Sequence, residues 1–390
     1  MLREKWQEKV LGDLVTLEYG AGLPESSRSG SGFPVYGSRG IVGYHEDYLV
    51  NGPGIVVGRK GTVGAVTWSE GPFWPIDTAY YVNTKCEVEI RWCYWLLQLI
   101  GLDRLDSSTG VPGLNRNDAY IIKAKTPPLP EQLRIAEILD TIDEAIQKTE
   151  ALISKLKAMK QGLLHDLLTR GLDKNGKLRD PKAHPEQFKD SPLGRISREW
   201  KPIRLLDLVS IPNGQVDPKE KPYCHLTLIA PDHIESATGR LLCLETAREQ
   251  GAISGKYAFK PGDVLYSKIR PYLRKAVLAD RQGLCSADMY PLQPGSSLVP
   301  RFLLDVILGE QFSRFATSVS ERSGFPKINR KELGEYRLAL PTTHEQLHIA
   351  SVMDAHDARI RTEEQYRDKL RLQKKAIMHD LLTGKVRIQN

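Results

Sequence analysis

Two long stretches of the chain carry apolar side chains at alternating steps of three and four residues. In residues 131–169 these positions are Ile135, Leu139, Ile142, Ile146, Ile153, Leu156, Leu163 and Leu167. Residues 345–383 keep the same register with a less apolar series, Ile349, Met353, Ile360, Leu370, Ile377 and Leu381. This spacing is typical of a coiled-coil helix with one apolar seam. We therefore predict two helices, each about 60 Å long.

The two helical stretches are copies of each other, and the copied region extends beyond them. Glu131 begins the string Glu-Gln-Leu-Arg-Ile-Ala, and Glu345 begins Glu-Gln-Leu-His-Ile-Ala, displaced by 214 residues. The string His-Asp-Leu-Leu-Thr at His165 returns at His379 with the same displacement, as does the segment 110–116 at 324–330. Such internal similarity is a strong signal of a duplicated architecture.

The front of each half also matches, but with a different displacement. The segment around Trp6 resembles that around Trp200, which lies 194 residues later. The second half therefore holds 20 more residues in its middle, as the displacements of 194 and 214 require. Each half has a similar frame and a different interior. A seam this long needs an apolar partner, and we expect the two helices to pack antiparallel because the chain returns through the second interior.

Short β-rich runs separated by Gly and Pro turns fill both interiors, at residues 54–58, 63–68, 263–267 and 275–279, with helices expected at 90–100 and 301–307. Residues 171–198 begin with a polar stretch broken by Pro and Gly, which favours a surface linker. The predicted fold class is α+β, with two mixed α/β domains joined by two long antiparallel coiled-coil helices in an internal pseudo-two-fold repeat. The predicted segments are a first domain at 1–130, a helix at 131–170, a linker at 171–198, a second domain at 199–340, and a helix with its tail at 341–390.

Composition adds few constraints. The 390 residues fit about two or three domains, and the formal net charge of +7 permits nucleic-acid binding without requiring it. No run of roughly 18 apolar residues occurs, and the charged start lacks the apolar region of a signal peptide, so we expect a soluble, cytoplasmic protein with no membrane partner. The five cysteines show no C-x-x-C pair, which favours reduced and mostly buried thiols.

Cations lie beside tight turns in both interiors, at residues 58–62 and 267–275. Arg and Lys on such turns can approach phosphates and the guanine edge in the major groove, although solvated turn charges are the alternative. Two Asn-Arg pairs at equivalent positions can serve base edges or cap the following helix, and both roles stay open. The candidate DNA-contacting residues are Arg39, Arg59, Lys60, Thr62, Asn115, Arg116, Lys219, Lys268, Arg270, Tyr272, Arg274, Lys275, Lys327, Asn329 and Arg330.

One string matches a catalytic motif. Residues 344–348 spell H-E-x-x-H, which on a helix could hold zinc with Glu345 as general base. The equivalent residues 130–134 keep Glu-Gln-Leu and lack both histidines, so the repeated helix start explains the shared letters. The chain also lacks a phosphate loop, a dinucleotide-binding fingerprint, a nucleophile elbow and the Asn/Asp-Pro-Pro-aromatic signature. We therefore expect no catalytic residues, no metal site and no cofactor of its own.

The order of domain, long helix, domain, long helix resembles the specificity subunits of type I restriction-modification enzymes across essentially the whole chain. The helix entries with Pro-x-Pro-x-Glu-Gln-like strings and the His-Asp-Leu-Leu-Thr exits carry the resemblance, and strings at 73–78, 189–196 and 262–268 are similar to segments of that family. Residues 341–344, Pro-Thr-Thr-His, depart from it by lacking the later prolines of the first helix entry.

The resemblance implies that each domain is a target-recognition domain for one half of a split, asymmetric double-stranded DNA sequence. It implies that the helices set the gap between the half-sites, that two methyltransferase subunits dock on this chain, and that restriction and translocation subunits join outside. S-adenosylmethionine, ATP and magnesium would belong to those partners. The alternative from another class is a coiled-coil adaptor whose globular domains bind proteins without DNA specificity.

Overall fold

The computed structural model describes residues 5–85, 87–105, 113–320 and 325–388. Cys86 and parts of the repeated segments, residues 110–112 and Gly324, lie outside the described residues. The chain forms two compact units, the first comprising Met1–Leu152 with Glu363–Asn390 and the second comprising Ile153–Thr362. Each long helix therefore contributes one part of its length to each unit.

The first unit begins with strands and short helices that frame a four-stranded antiparallel sheet. Its elements are β1 (Gln7–Val10), α1 (Leu11–Leu14), β2 (Val15–Tyr19), β3 (Phe33–Gly37), β4 (Gly40–His45), β5 (Gly54–Gly58), β6 (Val66–Ser69), β7 (Trp74–Pro75), β8 (Ala79–Thr84), α2 (Ile90–Ile100), α3 (Arg116–Tyr120) and β9 (Lys123–Thr126). The main sheet has the order β2-β8-β5-β6, a second sheet has the order β4-β3-β7, and β1 pairs with β9. The helix α4 (Leu129–Thr169) follows.

The second unit repeats the four-stranded sheet and the framing strand pair. Its elements are β10 (Phe188–Ser191), β11 (Gly194–Ser197), β12 (Lys201–Arg204), α5 (Leu205–Leu208), β13 (Val209–Ser210), β14 (Thr227–Ile229), β15 (Tyr257–Phe259), β16 (Val264–Ser267), β17 (Ala276–Leu278), β18 (Gly283–Cys285), β19 (Met289–Pro294), α6 (Pro300–Leu308), α7 (Glu310–Ser320), α8 (Arg330–Glu335), β20 (Arg337–Leu340) and α9 (Thr343–Leu382). The sheet order β13-β19-β16-β17 corresponds strand for strand to β2-β8-β5-β6, and β12 pairs with β20 as β1 pairs with β9. The three-stranded sheet of this unit, by contrast, has the order β14-β18-β15 with β18 in the centre.

Both long helices are confirmed, and their first residues, Leu129 and Thr343, keep the displacement of 214 although the second entry has fewer prolines. In the first unit the seam residues Ile135 and Leu139 are fully buried, and Ile349 and Met353 are fully buried in the second. The helices run antiparallel within each unit. In the first unit Glu131 on α4 pairs with Arg387, just beyond the end of α9, and Asp143 on α4 pairs with Lys374 on α9. Residue numbers therefore rise along α4 while the numbers of their partners fall.

The polar interruption of the α4 seam at Lys160 is also buried, at 7% exposure. Its ammonium group forms an ion pair with Asp357 on α9, within the second unit. A buried cation needs such a partner because an unpaired charge away from water is costly. The seam between the long helices is therefore mainly apolar, with an ion pair where Lys160 interrupts the apolar series.

The repeated glutamate at the start of each long helix holds distant parts of the chain. In the second unit Glu345 accepts hydrogen bonds from Arg179 at 2.5 Å, from the Trp200 indole at 2.9 Å and from the Leu172 amide at 2.8 Å. In the first unit Glu131 accepts from the Trp6 indole and Arg387 at 2.9 Å each. In each half, the repeated tryptophan therefore donates a hydrogen bond to the repeated glutamate of the same half.

The repeated glutamine beside each glutamate has its own function. The Gln132 amide group donates to the carbonyl of Pro127 at 2.9 Å and accepts from the Glu89 amide at 2.8 Å. Gln346 donates to the Pro341 carbonyl at 3.0 Å and accepts from the Val299 amide at 2.8 Å. Because a buried amide must pair both its donor and its acceptor, each glutamine fixes the start of the helix against the preceding domain.

The segment expected as a linker contains more structure than its polar composition indicates. Strands β10 and β11 form a hairpin that buries Phe188 and Ile196, both at 4% exposure. Of the four described cysteines, Cys93 and Cys285 are buried, and burial raises the pKa of each thiol to about 12; Cys224 and Cys243 are not buried. No helix among the described residues is long and apolar enough to cross a membrane.

Candidate nucleic-acid interface

A cluster of cations and tyrosines lies where β2, the turn after β5 and the start of α3 meet in the first unit. The guanidinium carbon of Arg59 lies 4.7 Å from the centre of the Tyr19 ring, and that of Arg116 lies 4.9 Å from the same centre. Tyr19 is 48% exposed and packs against Tyr80 at a ring separation of 5.2 Å. Arginine stacked on an aromatic ring is held in place while its in-plane N–H groups stay available.

Backbone hydrogen bonds fix this cluster. The Arg59 amide donates to the Thr78 carbonyl at 2.9 Å, and the Arg59 carbonyl accepts from the Leu114 amide at 2.8 Å. The Arg59 side chain donates one further bond, from Nη1 to the Asp77 carbonyl at 3.0 Å. Arg116 donates from Nη1 to the Leu17 carbonyl at 3.4 Å.

The second unit builds the same arrangement with different side chains. The Lys268 amide donates to the Asp288 carbonyl and its carbonyl accepts from the Ile328 amide, both at 2.9 Å, so Lys268 is the backbone equivalent of Arg59. Its ammonium group lies 5.0 Å from the centre of the Tyr290 ring. Arg330 is the equivalent of Arg116, since each donates to a carbonyl at the corresponding position of its unit, Leu17 in β2 and Ile211 directly after β13.

The partner of that second arginine differs between the units. Arg330 donates to the side-chain oxygen of Asn213 at 2.5 Å and to the Pro212 carbonyl at 2.8 Å, where Arg116 instead lies against Tyr19. Tyr19 and Asn213 occupy corresponding positions, because Leu17 and Ile211, two residues earlier, accept the equivalent bonds. A shared backbone therefore presents different chemistry in each unit.

The two clusters are electropositive. Among the described residues, neither Arg59 nor Arg116 forms an ion pair with a carboxylate. Burial lowers the pKa of Lys268, and the nearby positive charges of Lys327 and Arg330 lower it further, while Tyr257 and Asp288 act in the opposite direction. Cations that form no ion pair with a carboxylate among the described residues favour a ligand rich in hydrogen-bond acceptors, such as phosphates or base edges.

The other candidate residues divide into two groups. Exposed residues near the clusters or on turns are Arg39, Lys60, Thr62, Asn115, Lys219, Arg270, Tyr272, Lys327 and Asn329. By contrast, the Arg274 guanidinium donates to Gln161 at 3.0 Å and to the Leu308 carbonyl, and the Lys275 ammonium group donates to the Pro231 carbonyl at 2.7 Å. These two cations are used inside the second unit.

The contacts of Asn115 and Asn329 show the helix-capping role, and base contact by these residues stays a prediction. The side-chain oxygen of Asn115 accepts a hydrogen bond from the backbone amide of Asn117 at 3.0 Å, and that of Asn329 accepts one from the backbone amide of Glu332 at 2.9 Å. Both therefore cap the helix that begins after them, and both remain exposed. The cap orients the arginine that follows each asparagine.

Sequence reasoning missed Tyr19, Tyr80, Asn213 and Tyr290. Their positions follow from strand register, since β2 pairs with β8 so that Tyr19 lies opposite Tyr80. The only available signal was the repeated strand frame, which aligns position 19 with position 213 once the displacement of 194 at the front of each half is applied. Aromatic residues in such strands are more often core residues.

The H-E-x-x-H string lies in the first turns of α9. The rings of His344 and His348 are 4.8 Å apart, and Glu345 between them is engaged by Arg179 and Trp200. Among the described residues, no group of three or more His, Cys, Asp or Glu side chains is placed to hold a metal ion. Glu345 therefore forms hydrogen bonds that hold the fold together.

Comparison with known proteins places these features in a family. A family profile for the type I restriction modification DNA specificity domain matches residues 3–158 and 197–372, once in each half. The chain belongs to this specificity-domain family. Its two matched repeats agree with the duplication seen in the sequence and in the strand order of the two units, and the predicted resemblance is confirmed.

Curated relatives are specificity subunits. The EcoDI specificity subunit of Escherichia coli is 27% identical over 358 residues, which cover 88% of this chain and 79% of that protein. The MjaVIII specificity subunit of Methanocaldococcus jannaschii is 24% identical over 300 residues, covering 72% of this chain and 66% of that protein. The specificity-subunit family is therefore represented along nearly the whole chain.

Solved structures show the same fold. The S subunit of a type I restriction-modification system from M. genitalium superposes with a TM-score of 0.62 at 14% identity, covering 98% of this chain and 96% of that one. A chain from a study of complex assembly and conformational transition of the type I restriction-modification system gives a TM-score of 0.58 at 17% identity, covering 99% and 100%. The predicted fold class is confirmed.

Proposed function

We propose that this chain is the DNA-recognition subunit of a type I restriction-modification complex, and that its two units read the two halves of a split, asymmetric double-stranded DNA target. The observation that carries the proposal is the pair of equivalent cation and tyrosine clusters. The first contains Arg59, Arg116 and Tyr19, and the second contains Lys268 and Arg330.

The shared frame and the differing interiors support two separate half-sites. Sequence-specific recognition needs side chains that reach base edges, whereas contacts to phosphates position the protein without reading letters. Two domains with the same backbone at the cluster and different side chains on it are suited to bind different base sequences. The two long helices, which contribute to both units, would set the number of base pairs between the half-sites.

The chain's part in the reaction is proposed to be recognition and positioning, without catalysis. Two methyltransferase subunits would transfer a methyl group from S-adenosylmethionine to adenine at the site that this chain selects. Restriction and translocation subunits would use ATP and magnesium. The cofactors would be bound by those partners, and the duplicated frame offers each methyltransferase subunit an equivalent place to dock.

Adenine-methylation mapping in a host tests the proposal directly. The host expresses this chain with its methyltransferase subunit, and the control host expresses the methyltransferase subunit alone. A two-part methylated motif with an unspecified gap should appear only when this chain is present. A stable complex of active subunits that adds no new motif would contradict the proposal and would favour the protein-binding adaptor.

A further inference from the structure

The equivalent positions 59 and 268 differ in a way that bears on base selection. Arg59 carries a planar guanidinium whose five N–H groups form a fixed fork, and Nη1 of that fork donates to the Asp77 carbonyl at 3.0 Å. Lys268, which is 9% exposed, carries a compact ammonium group that has no fixed plane. The backbone at the two positions is held by the same pair of hydrogen bonds.

The plane of the Arg59 guanidinium is restricted from two sides. Tyr19 lies at 4.7 Å from its central carbon and Tyr80 at 5.8 Å, while the Asp77 carbonyl fixes one nitrogen. A phosphate accepts hydrogen bonds from many directions and does not need an oriented fork. Two acceptors in one plane, such as guanine O6 and N7, do need one. The restricted plane therefore suits the two coplanar acceptors of a guanine edge, although a phosphate can also accept two bonds from a guanidinium, and a panel of single base changes in the DNA distinguishes the two.

Arg116 differs from Arg59 in its contacts. Its guanidinium lies on the same Tyr19 ring, so two positive charges without carboxylate partners share one aromatic surface. An acceptor-rich ligand in front of this surface offsets their repulsion. In the second unit three acceptors, on Ile211, Pro212 and Asn213, hold the equivalent Arg330, which leaves it fewer donors.

We propose that Arg59 reads a guanine in the half-site of the first unit, through two hydrogen bonds to O6 and N7 in the major groove. Lys268, at the same backbone position of the second unit, makes a contact that lacks the two-bond fork. This inference rests on the proposed function, since it assigns a base to one residue of the proposed DNA interface. Tyr19 acts as a positioning residue for the guanidinium.

Initial rates of adenine methylation on a panel of duplexes test the assignment. The enzyme is the complex of this chain with its methyltransferase subunits, and each duplex changes one base pair of either half-site. In the wild type one guanine position should be strongly selected. Arg59→Lys keeps the charge and removes the fork, so discrimination at that position alone should fall about 5- to 150-fold, the range for one bidentate contact.

Lys268→Arg is the matched control, because it exchanges the same two side chains at the equivalent position of the other unit. It should leave base selection in the first unit's half-site unchanged. A second probe needs no variant: 7-deazaguanine, which lacks the N7 acceptor, should slow the wild-type complex at the selected position. The Arg59→Lys complex should show a smaller loss with that base than the wild type, because a lysine makes at most a contact without the oriented fork.

The outcomes separate this inference from the proposed function. A wild-type complex that methylates no defined motif would contradict both. A wild-type complex with a two-part motif, in which Arg59→Lys lowers every rate by the same factor and 7-deazaguanine has no effect at any guanine, would overturn only the assignment of Arg59. Arg59 would then contact the DNA backbone or support the fold.

Discussion

At the scale of single residues, the repeated glutamates explain why the same letters return at both helix starts. Glu345 is 6% exposed and Glu131 is 8% exposed, and each carboxylate accepts from a tryptophan indole and an arginine. Their arginines differ in burial, since the Arg179 side chain is 8% exposed and the Arg387 side chain is 33% exposed. The two contacts are alike in geometry and should differ in energy.

Glu345→Gln should lower the free energy of unfolding of the second unit by about 3 kcal/mol, because the buried Arg179 guanidinium then keeps only the exposed Glu199 as a counter-charge, at 3.6 Å. Glu131→Gln is the matched change in the first unit and should cost less, about 1–2 kcal/mol, because water reaches Arg387. Urea unfolding monitored by tryptophan fluorescence measures both. Equal losses in the two variants would show that burial of the arginine does not set the cost.

At the scale of elements, one helix in each domain packs on the long helices through a repeated ionic contact. In the first unit Arg91 on α2 pairs with Asp140 on α4 at 2.7 Å, and in the second Arg301 on α6 pairs with Asp354 on α9 at 2.6 Å. One turn later α2 carries Trp95, whereas α6 carries Asp305. The second unit thus buries a carboxylate where the first buries an indole.

The buried Asp305 makes stability depend on pH. Burial raises its pKa to about 7, although Arg301 and Lys160 act in the opposite direction. A carboxyl group whose pKa is higher in the folded state than its unfolded value of about 3.9 adds stability that is fully present below about pH 4. That contribution is lost as the pH rises through about 7.

The stability of Asp305→Asn relative to the wild type should therefore increase as the pH rises from 4 to 8, since asparagine does not ionise and the wild-type carboxyl group does. The amide can still accept the hydrogen bond from Arg301, which keeps its contacts with Asp354 and Asp357. Thermal unfolding of both proteins across this pH range measures the difference. A difference in melting temperature that stays constant from pH 4 to pH 8 would contradict the raised pKa.

At the scale of the whole molecule, both long helices contribute residues to both units. Under the proposed function, we expect the length of the long helices to govern the gap between half-sites and the residues of each domain to govern the base sequence of its half-site. This division follows from the proposed function and makes the helices and the domains separately testable.

Insertion of seven residues after Leu152 and seven after Thr362 should alter the gap and leave both half-sites unchanged. A heptad preserves the apolar seam and adds about 10 Å of helix, which corresponds to about three base pairs. Methylation mapping of a host that expresses the variant with its methyltransferase subunit reads the gap and the letters together. A change in half-site letters at an unchanged gap would refute this division.

Much of the fold was predictable because its signals are local. The helix α2 was expected at residues 90–100 and is observed at Ile90–Ile100, and the strand β5 was expected and is observed at Gly54–Gly58. Both depend on periodicity within about ten residues. The hairpin of β10 and β11 was not expected, because the residues around Phe188 are mostly polar and the burial of Phe188 depends on contacts in the folded chain.

The candidate site was predictable only in part. The cations Arg59 and Lys268 were identified from their position beside tight turns, and the structure places them at equivalent positions. Arg274 has the same local character, yet its donors are engaged by Gln161 and Leu308. A turn pattern indicates that a cation is near the surface, but the packing around it decides whether its donors reach a ligand.

The sequence by itself determined the duplication, the periodic seams of the two long helices and the division into similar frames with different interiors. Only the tertiary structure decided which parts of the chain complete each frame. Arg387 reaches Glu131 across 256 residues, and Arg179 reaches Glu345 across 166. Periodicity is a property of neighbouring residues and is written in the sequence directly. Contacts at such separations depend on the path of the whole chain, which no local pattern specifies.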